Sequence, residues 1–420
     1  MSANVPDDII ITIFEQVVPT QLEEWPGAQY DKQRALAPFI LAAVCRRWRF
    51  LAHGMATLWT YFAFPSDPVH LAGHSERLRL LLRLSRDALI DGIFVWGSPY
   101  NYQDGEDSSS VTEEVMKALS SIVKRWRNIR LRLSSSATEH LREALEGTAP
   151  NLTSLSVVTD LVTYFLPNSP RLKRLYMECT FMKVPTTLNQ AFPALTHVAL
   201  ISDPFSRFTH EFSIQYSATI TELTILDNLP DDVLPEPIQL PVLESLILED
   251  PEYLRCFNAP RIQQLALGDG IDRHPRVAVL SELYSSVTEL TLFGAVDGAS
   301  MSELRSLVNV KTLRFAVPPT IQICFERHRE YSITVGTFEA MESGLPFVLP
   351  LLERIVFEAP LNGDIAELDA TDLLNFVQAR NAPADERVDL RVSRILDVLV
   401  DPKIKGVTPE LITALSRLSP

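Results

Sequence analysis

One six-residue pattern recurs along most of the chain and constrains the fold more than any other feature of the sequence. The pattern is apolar-x-x-apolar-x-apolar, and its last three positions alternate as they do in a short β-strand that buries one face. Successive copies between residues 152 and 310 start at steps of 20, 23, 25, 23, 19, 25 and 23 residues. The first positions are Leu152, Leu172, Leu195, Ile220, Leu243, Ile262, Val287, Val310 and Leu352, with a weaker forerunner at Trp126.

These steps fall within the range of about 20–29 residues that is typical of leucine-rich repeats. A strand of this length cannot bury its apolar face alone, so neighbouring copies must stack in parallel to form a continuous core. The sequence therefore predicts a mixed α/β protein whose larger part is an irregular leucine-rich-repeat solenoid with a curved parallel sheet.

Proline supports the same period, because a proline lies two residues before the first apolar position in six copies. Proline cannot continue a preceding helix, and it favours extended backbone in the residue before it. Each proline is therefore expected to end one repeat and to precede the next strand. The six are Pro150, Pro170, Pro193, Pro241, Pro260 and Pro350.

The period breaks at a 42-residue step from Val310 to Leu352, which indicates an insertion over residues 316–350 or a degenerate repeat around Tyr331–Val335. Further on, a helix is predicted over Asp372–Arg380 and a last strand over Val388–Val392, and together they are candidates for a polar cap. A polar side chain is also expected nine residues into the early repeats, to bond loop backbone. The candidates are Asp160, Thr180, Asp203 and Asn228.

In a stacked solenoid, the strand positions that point away from the core form the concave face. A mixed set of aromatic, acidic, aliphatic and basic residues is expected there, and tyrosine and arginine are common anchors of interfaces. The alternative is that inserted loops or the C-terminal tail cover this face. The residues expected to contact a target are Tyr176, Glu178, Ile247, Glu249, Phe293 and Arg314.

Two amphipathic segments precede the repeats. Residues 6–18 place apolar side chains at helical spacing behind a proline and two acids, which favour a helix start. Residues 36–52 are predicted to form a second helix with one apolar face that includes Ile40, Val44, Cys45 and Trp48. Leu58 and Trp59 then form a short apolar end.

The sequence VPDDIIITIFEQV, followed by ILAAVCRRWRFLAHGMATLW, resembles an F-box. Together with LLRLSRDALIDGIFV, KRWRNIRLRL and TAPNLTSLSV, it is similar to the F-box family expanded in mushroom-forming (basidiomycete) fungi. This sequence departs from the motif at Val5 and Asp8, and residues 19–34 separate the two helices.

The resemblance implies a three-helix module that binds a Skp-type adaptor, and through it a cullin–RING ubiquitin ligase, while the repeats hold an unidentified target protein. An alternative assigns Ile13, Phe14 and Val44 to the module's own core. The residues that the family motif places on the adaptor are Pro6, Ile9, Val44, Cys45, Trp48, Leu58 and Trp59.

Composition narrows the remaining classes of function. The net charge of -15 argues against nucleic acid or an anionic membrane as the main partner. Four unpaired cysteines and an N-terminus that does not resemble a signal peptide favour an intracellular protein of the cytoplasm, the nucleus or both. No run of about 18 apolar residues predicts a membrane span.

No catalytic motif, cofactor or metal site is predicted. The pair His70 and His74 has helical metal spacing but lacks a glutamate and a third ligand. The expected organisation is an F-box-like module over 1–65, a linking helical and early-repeat segment over 66–125, and the repeat domain with its cap over 126–420. A repeat scaffold without ligase coupling is the alternative function.

Overall fold

The computed structural model describes most of the chain. The described residues are 5–17, 31–64, 71–96, 109–159, 168–179, 192–202, 212–226, 237–249, 251–268, 284–293, 304, 307–316, 333–335, 349–359, 366–368, 370–382 and 393–418.

The chain divides into two compact units, Met1–His197 and Val198–Pro420. The first unit contains six α-helices and five strands among its described residues. The helices are α1 (Asp7–Val17), α2 (Lys32–Val44), α3 (Arg46–Gly54), α4 (Leu71–Ser85), α5 (Ser109–Ser121) and α6 (Ser135–Glu146). The strands are β1 (Tyr61–Phe64), β2 (Ile90–Trp96), β3 (Trp126–Leu133), β4 (Ser154–Thr159) and β5 (Arg174–Cys179), and short 3-10 turns span Ala56–Trp59 and Val123–Arg125.

The second predicted helix, over 36–52, is two helices in the structure. Cys45 has extended backbone (φ -159°), which ends α2, and its Sγ accepts a hydrogen bond from the Trp48 amide at 3.4 Å at the start of α3. At the other end of α2, the Asp31 carboxylate accepts a bond from the Arg34 amide at 2.9 Å, as an N-cap does. Helical periodicity alone missed the break because an apolar stripe can continue across two consecutive helices.

The five strands of the first unit pair in parallel in chain order, β1-β2-β3-β4-β5. The register aligns Leu131, Val157 and Met177 across β3, β4 and β5, and all three are buried. The forerunner at Trp126 is therefore a complete strand, and β1 and β2 extend the sheet toward the N-terminus, where the sequence pattern did not place strands.

The second unit continues the repeat. Its strands are β7 (Glu222–Leu226), β8 (Ile238–Gln239), β9 (Ser245–Leu248), β10 (Phe257–Asn258), β11 (Gln264–Leu267), β12 (Glu289–Leu292), β13 (Thr312–Phe315), β14 (Ile333–Val335), β15 (Arg354–Phe357), β16 (Ala366–Leu368) and β17 (Asp397–Val400). A 3-10 segment spans Pro251–Cys256, the helices are α7 (Ala370–Asn381) and α8 (Pro409–Leu418), and β6 (His197–Ser202) lies at the boundary between the units.

Seven strands of this unit pair in parallel in the order β7-β9-β11-β12-β13-β15-β17. Four buried leucines occupy matching register positions on neighbouring strands: Leu246, Leu265, Leu290 and Leu313. Full burial of a leucine contributes about 1.5–3 kcal/mol, so the aligned leucines supply much of the driving force for stacking. The parallel strands at repeat spacing form a leucine-rich-repeat-like fold.

The 42-residue step is an insertion that leaves the sheet intact. Thr312 on β13 pairs directly with Arg354 on β15, so the chain returns in register after the insertion. The strand β14 within it pairs with β16, which follows β15 in the chain, in a separate two-stranded sheet. The rest of the 316–350 segment, apart from Ala316, β14, Leu349 and Pro350, lies outside the described residues.

Each of the six prolines occupies the second position of a turn that leads into a strand. The amide of the residue two places after the proline donates to the carbonyl of the residue before it, at 3.0–3.3 Å. Proline suits this position because its φ is already fixed near the required value. The residues before the prolines form a further buried position in the repeat, which the sequence pattern missed: Ala149, Ser169, Phe192, Leu240, Ala259 and Leu349.

Polar side chains bond the backbone of the preceding repeat just before the strands. Asn151 donates to the Lys124 carbonyl at 2.9 Å, and Asn309 donates to the Ser285 carbonyl at 2.6 Å. The positions at which the sequence predicted such side chains, Asp160, Thr180, Asp203 and Asn228, lie outside the described residues.

One asparagine forms hydrogen bonds with several of the C-terminal elements. The predicted helix over Asp372–Arg380 is confirmed within α7, whereas the strand predicted over 388–392 lies outside the described residues. Asn381 at the end of α7 donates to the carbonyls of Ile395 and Leu418 and accepts from the Ile395 amide at 2.8 Å. Asn381 thus connects α7, the approach to β17 and the end of α8.

Helix α2 packs on the first strands of the sheet. Ala35 contacts a buried cluster formed by Tyr61, Ala63 and Ile93 on β1 and β2. Helix α2 and the first strands therefore share a core. The N-terminal helices and strands β1 to β5 lie in one compact unit.

A buried carboxylate joins α2 to the sheet. Asp91 on β2 is fully buried, and its two oxygens accept bonds from Arg127 at 2.9 and 2.7 Å and from Asn128 at 2.9 Å. Arg34 of α2, which is 4% exposed, contacts the same carboxylate at 3.2 Å and lies over the Tyr61 ring at 4.5 Å. The hydrogen bond to Asp91 raises the pKa of Arg127. The Asp91 carboxylate is the counter-ion that Arg34 and Arg127 share.

We expect Asp91→Asn to lower the free energy of unfolding by about 3–5 kcal/mol, because it leaves the buried Arg34 cation without a counter-ion. Arg34→Met should cost less, since Asp91 keeps its bonds to Arg127 and Asn128. Urea unfolding followed by circular dichroism measures both. Glu114→Gln, which removes an exposed ion pair with Arg79, is the control and should change stability by less than about 1 kcal/mol. Equal stability of Asp91→Asn and this control would contradict the assignment.

Candidate protein-docking surface

Helix α1 divides its apolar side chains between the interior and the solvent. Ile10 and Phe14 are buried, whereas Ile9, Ile13 and Val17 are exposed. The three exposed residues are spaced by four positions and therefore follow one side of the helix. Apolar side chains at this spacing on the outside of a helix suit contact with another protein.

Helices α2 and α3 continue this arrangement. On α2, Ala35 packs on the sheet and Leu41 is also buried, whereas the outward positions Ile40 and Val44 are 61% and 56% exposed. Phe50 on α3 is 79% exposed, which is unusual for a phenylalanine.

Exposed large apolar side chains are concentrated in this part of the chain. Among the described residues, twelve large hydrophobic side chains are exposed, and seven of them lie between residues 5 and 50. Such concentrations on a folded surface mark sites of protein contact. We call these seven residues the docking surface: Val5, Ile9, Ile13, Val17, Ile40, Val44 and Phe50.

Four of the residues that the family motif assigns to adaptor contact lie at the surface. Pro6 is exposed just before α1, Ile9 and Val44 belong to the docking surface, and Cys45 is exposed at the junction of α2 and α3. Trp48 is half-buried and packs edge-on against Phe14, with 5.1 Å between ring centroids. Its ring therefore supports α1 while part of it remains accessible.

Leu58 and Trp59 are a correction to the expected set, because both side chains are buried. The indole Nε1 of Trp59 donates to the Ala52 carbonyl at 2.7 Å, and the ring packs edge-on against Phe39 and His53. Trp59 thus connects α2 and α3, and neither buried side chain can reach a partner in this conformation.

The alternative that assigned Ile13, Phe14 and Val44 to the core holds for Phe14 alone. Ile13 and Val44 are exposed. Ile40 and Phe50 were not expected in the site. The sequence predicted one long helix with Ile40 on its apolar face and Phe50 outside that face. Their exposure as apolar neighbours of a partner site could not be predicted, because the chain forms two helices that are divided at Cys45.

Charged groups fix the geometry of the docking surface. Arg47 of α3 pairs with Asp7 at the start of α1 and donates to the Val5 carbonyl at 2.6 Å. Arg49 donates to the Ala42 carbonyl in the last turn of α2 at 3.0 Å. A positive charge at this end of a helix also interacts favourably with the helix dipole. Both arginines thus connect the helices that carry the exposed apolar residues.

The strand face expected to bind a target differs from the expectation at two positions. Tyr176 is buried, and its hydroxyl donates to the Glu178 carboxylate at 3.0 Å. Phe293 is also buried, and its ring would lie 2.6 Å from a Cβ atom added at Gly268. The absence of a side chain at Gly268 therefore lets Phe293 fold over the strand, so it does not point outward as an anchor.

The other expected target-binding residues are partly exposed. Glu178, Ile247 and Glu249 are half-buried. Arg314 on β13 pairs with Glu289 of β12 and with Glu358, next to β15, at 2.6 Å to the latter. Its guanidinium is already neutralised by two carboxylates, so Arg314 is a poor receptor for a further anion.

Neither a metal centre nor a membrane span is found in the described part of the chain. No group of three or more His, Cys, Asp or Glu side chains there could hold a metal ion. His70, of the histidine pair considered from the sequence, lies outside the described residues. No helix in the described ranges has the length and apolar character needed to cross a bilayer.

We expect Leu58→Ala to lower the free energy of unfolding by about 2–5 kcal/mol, because it leaves a cavity in the core. Val44→Ala should change it by less than about 0.5 kcal/mol, because Val44 lies on the surface. Thermal and urea unfolding of the two variants measure the difference. A cost for Val44→Ala as large as that for Leu58→Ala would show that Val44 belongs to the interior.

The comparisons with known proteins add little to this description. No family model matches the chain, and no curated protein matches it. Among solved structures, it is similar to a chain in the crystal structure of the TLR13–ssRNA13 complex, with 13% sequence identity and a TM-score of 0.33. The match covers 79% of this chain and 38% of that chain, so this protein spans well under half the length of that neighbour.

Proposed function

We propose that this chain is a non-catalytic substrate receptor of a Skp–cullin–F-box type ubiquitin ligase. The docking surface would bind a Skp-type adaptor, and the repeats would hold a target protein. The observation that carries the proposal is the concentration of exposed apolar side chains on α1, α2 and α3. The F-box-like motifs in the same residues supply the identity of the partner.

The chemistry of the docking surface favours a stable protein partner. Seven large apolar side chains remain in contact with water in the chain alone, and burial of each gains roughly 1.5–3 kcal/mol before the costs of association. Aromatic residues such as Phe50 and Trp48 are frequent centres of binding energy. A partner with a complementary apolar groove would remove this surface from water.

The connection between α2 and the sheet suits a receptor. In a ligase, the target must be held at a defined position relative to the adaptor. Arg34 and Ala35 on the inner side of α2 contact Asp91 and the β1–β2 cluster, while Ile40 and Val44 face outward on the same helix. A helix of three to four turns thus carries adaptor contacts on one side and repeat contacts on the other.

We expect Ile9→Glu and Val44→Glu each to weaken binding of a purified Skp-type adaptor to the full chain by about ten-fold or more. The physical reason is that an introduced carboxylate would be buried without a partner in the interface. Isothermal titration calorimetry measures the affinity. Ile412→Glu is the matched control, because it makes the same change at an exposed isoleucine on α8, and it should leave the affinity unchanged.

Two outcomes would contradict the proposal. One is the absence of adaptor binding by the intact, folded chain. The other is unchanged affinity in both Ile9→Glu and Val44→Glu. The first result, combined with capture of a target by the repeats, would favour the alternative of a repeat scaffold without ligase coupling.

A further inference from the structure

The turns that lead into the first strands of the sheet carry a group of exposed cations. Arg86 precedes β2, Lys124 precedes β3, and Arg171 and Lys173 precede β5, and all four side chains are exposed. The strands β2 to β5 pair in parallel in chain order, so their starting ends lie along one edge of the sheet. We call these four residues the basic turn cluster.

Hydrogen bonds between neighbouring turns hold these cations in place. Arg125, beside Lys124, donates to the Ala88 carbonyl in the turn before β2 at 3.0 Å. The Asn151 side chain, in the turn before β4, donates to the Lys124 carbonyl at 2.9 Å and accepts a bond from Arg171 at 3.4 Å. The turns before four successive strands are therefore joined, and the basic turn cluster belongs to one surface.

Described residues do not neutralise the charges of the basic turn cluster. None of its four side chains forms an ion pair with a carboxylate in the described part of the chain, and Arg171 bonds a neutral amide oxygen. The acid in the turn before β2, Asp87, interacts electrostatically with Arg125, and Arg127 is paired with the buried Asp91. Four positive charges therefore face the solvent together.

The positive charge of this region opposes the charge of the whole chain. The described residues 123–133, 149–159 and 168–178 include eight lysines and arginines and one acid, Glu178, whereas the chain carries -15. In the second unit, the positions that correspond to Lys173 include both signs, at Glu244, Lys311 and Glu353. The basic charge is therefore a local feature of the first unit. The eight basic residues are Lys124, Arg125, Arg127, Arg130, Arg132, Arg171, Lys173 and Arg174.

We infer that the basic turn cluster binds an acidic segment of a partner protein, whose negative charges are carboxylates or phosphorylated side chains. The turns before β2 and β5 are separated by three strand spacings, about 14 Å, which an extended segment of about five residues spans. Lysine and arginine both form charge-assisted hydrogen bonds with carboxylate and phosphate oxygens. This inference rests on the proposed function only in naming the partner as the ligase target.

A nucleic acid fits the basic turn cluster less well than an acidic protein segment does. Phosphates follow one another along the whole length of a nucleic-acid strand. Those beyond the four cations would meet the field of a chain that carries -15. A short acidic segment, in contrast, places its negative charge at the cluster alone.

The test uses the full chain at low ionic strength and a fluorescein-labelled peptide of this length that alternates glutamate and serine, with binding followed by fluorescence anisotropy. The double variant Lys124→Glu, Arg171→Glu should weaken binding by about ten-fold or more, because two attractions become repulsions. Added salt should also weaken binding. The matched control Lys403→Glu, Arg417→Glu makes the same charge change at an exposed lysine and an exposed arginine and should have little effect.

Two additions keep the test decisive. Lys173→Glu alone should weaken binding by about three-fold or more, and it removes no hydrogen bond or ion pair of the Lys173 side chain with a described residue. Circular dichroism shows whether each variant is folded. A second peptide, with phosphoserine in place of glutamate, distinguishes the two sources of negative charge, because the tighter binder identifies the source.

Four results would overturn the inference. They are no binding of either acidic peptide, equal weakening by the cluster variant and its control, comparable binding of a glutamine–serine peptide, and comparable binding of a single-stranded oligothymidylate. The assay contains no adaptor, so its outcome is independent of adaptor binding. Loss of adaptor affinity in Val44→Glu with unchanged peptide binding, and the reverse in the cluster variant, would separate the two proposals.

Discussion

The buried carboxylate of Asp91 is the interaction on which the N-terminal half of the structure depends. It neutralises Arg34 from α2 and Arg127 from β3, so one group connects a helix that carries exposed apolar residues to two strands of the sheet. A buried ion pair of this kind contributes little net stability compared with apolar packing. Its role here is geometric, because the same carboxylate contacts Arg34 of α2 and Arg127 of β3.

The repeat itself was largely predictable from the sequence, and the reason is physical. Leucines at matching register positions, such as Leu246 and Leu265, must recur because each strand buries the same side. Prolines such as Pro241 and Pro260 recur because their fixed φ suits the turn, although Ser285 and Val308 occupy the same turn position in two other repeats. The turn position before the proline was not predictable, since alanine, serine, phenylalanine and leucine all occupy it, and only its burial is common to them.

The candidate site was predictable in part. Of the residues that the motif assigns to adaptor contact, Ile9 and Val44 are exposed, whereas Leu58 and Trp59 are buried, and the motif does not distinguish the two pairs. Periodicity failed at Cys45, where a single extended residue divides one apolar stripe into two helices with different exposed sides. The Asp91 network was also beyond sequence reasoning, because residues 34, 91 and 127 are distant in the chain and each alone resembles an ordinary surface charge.

The central claim is that α2 belongs to the same folding unit as the first strands and holds the docking surface at a fixed position on the repeats. Hydrogen–deuterium exchange of the intact chain tests it most directly. The account predicts that the amides of α2, from Ala35 to Val44, exchange as slowly as those of β2 and β3, and that denaturant exposes all three together. Rapid exchange throughout α2 while β2 and β3 remain protected would contradict it, because the helices would then open independently of the sheet.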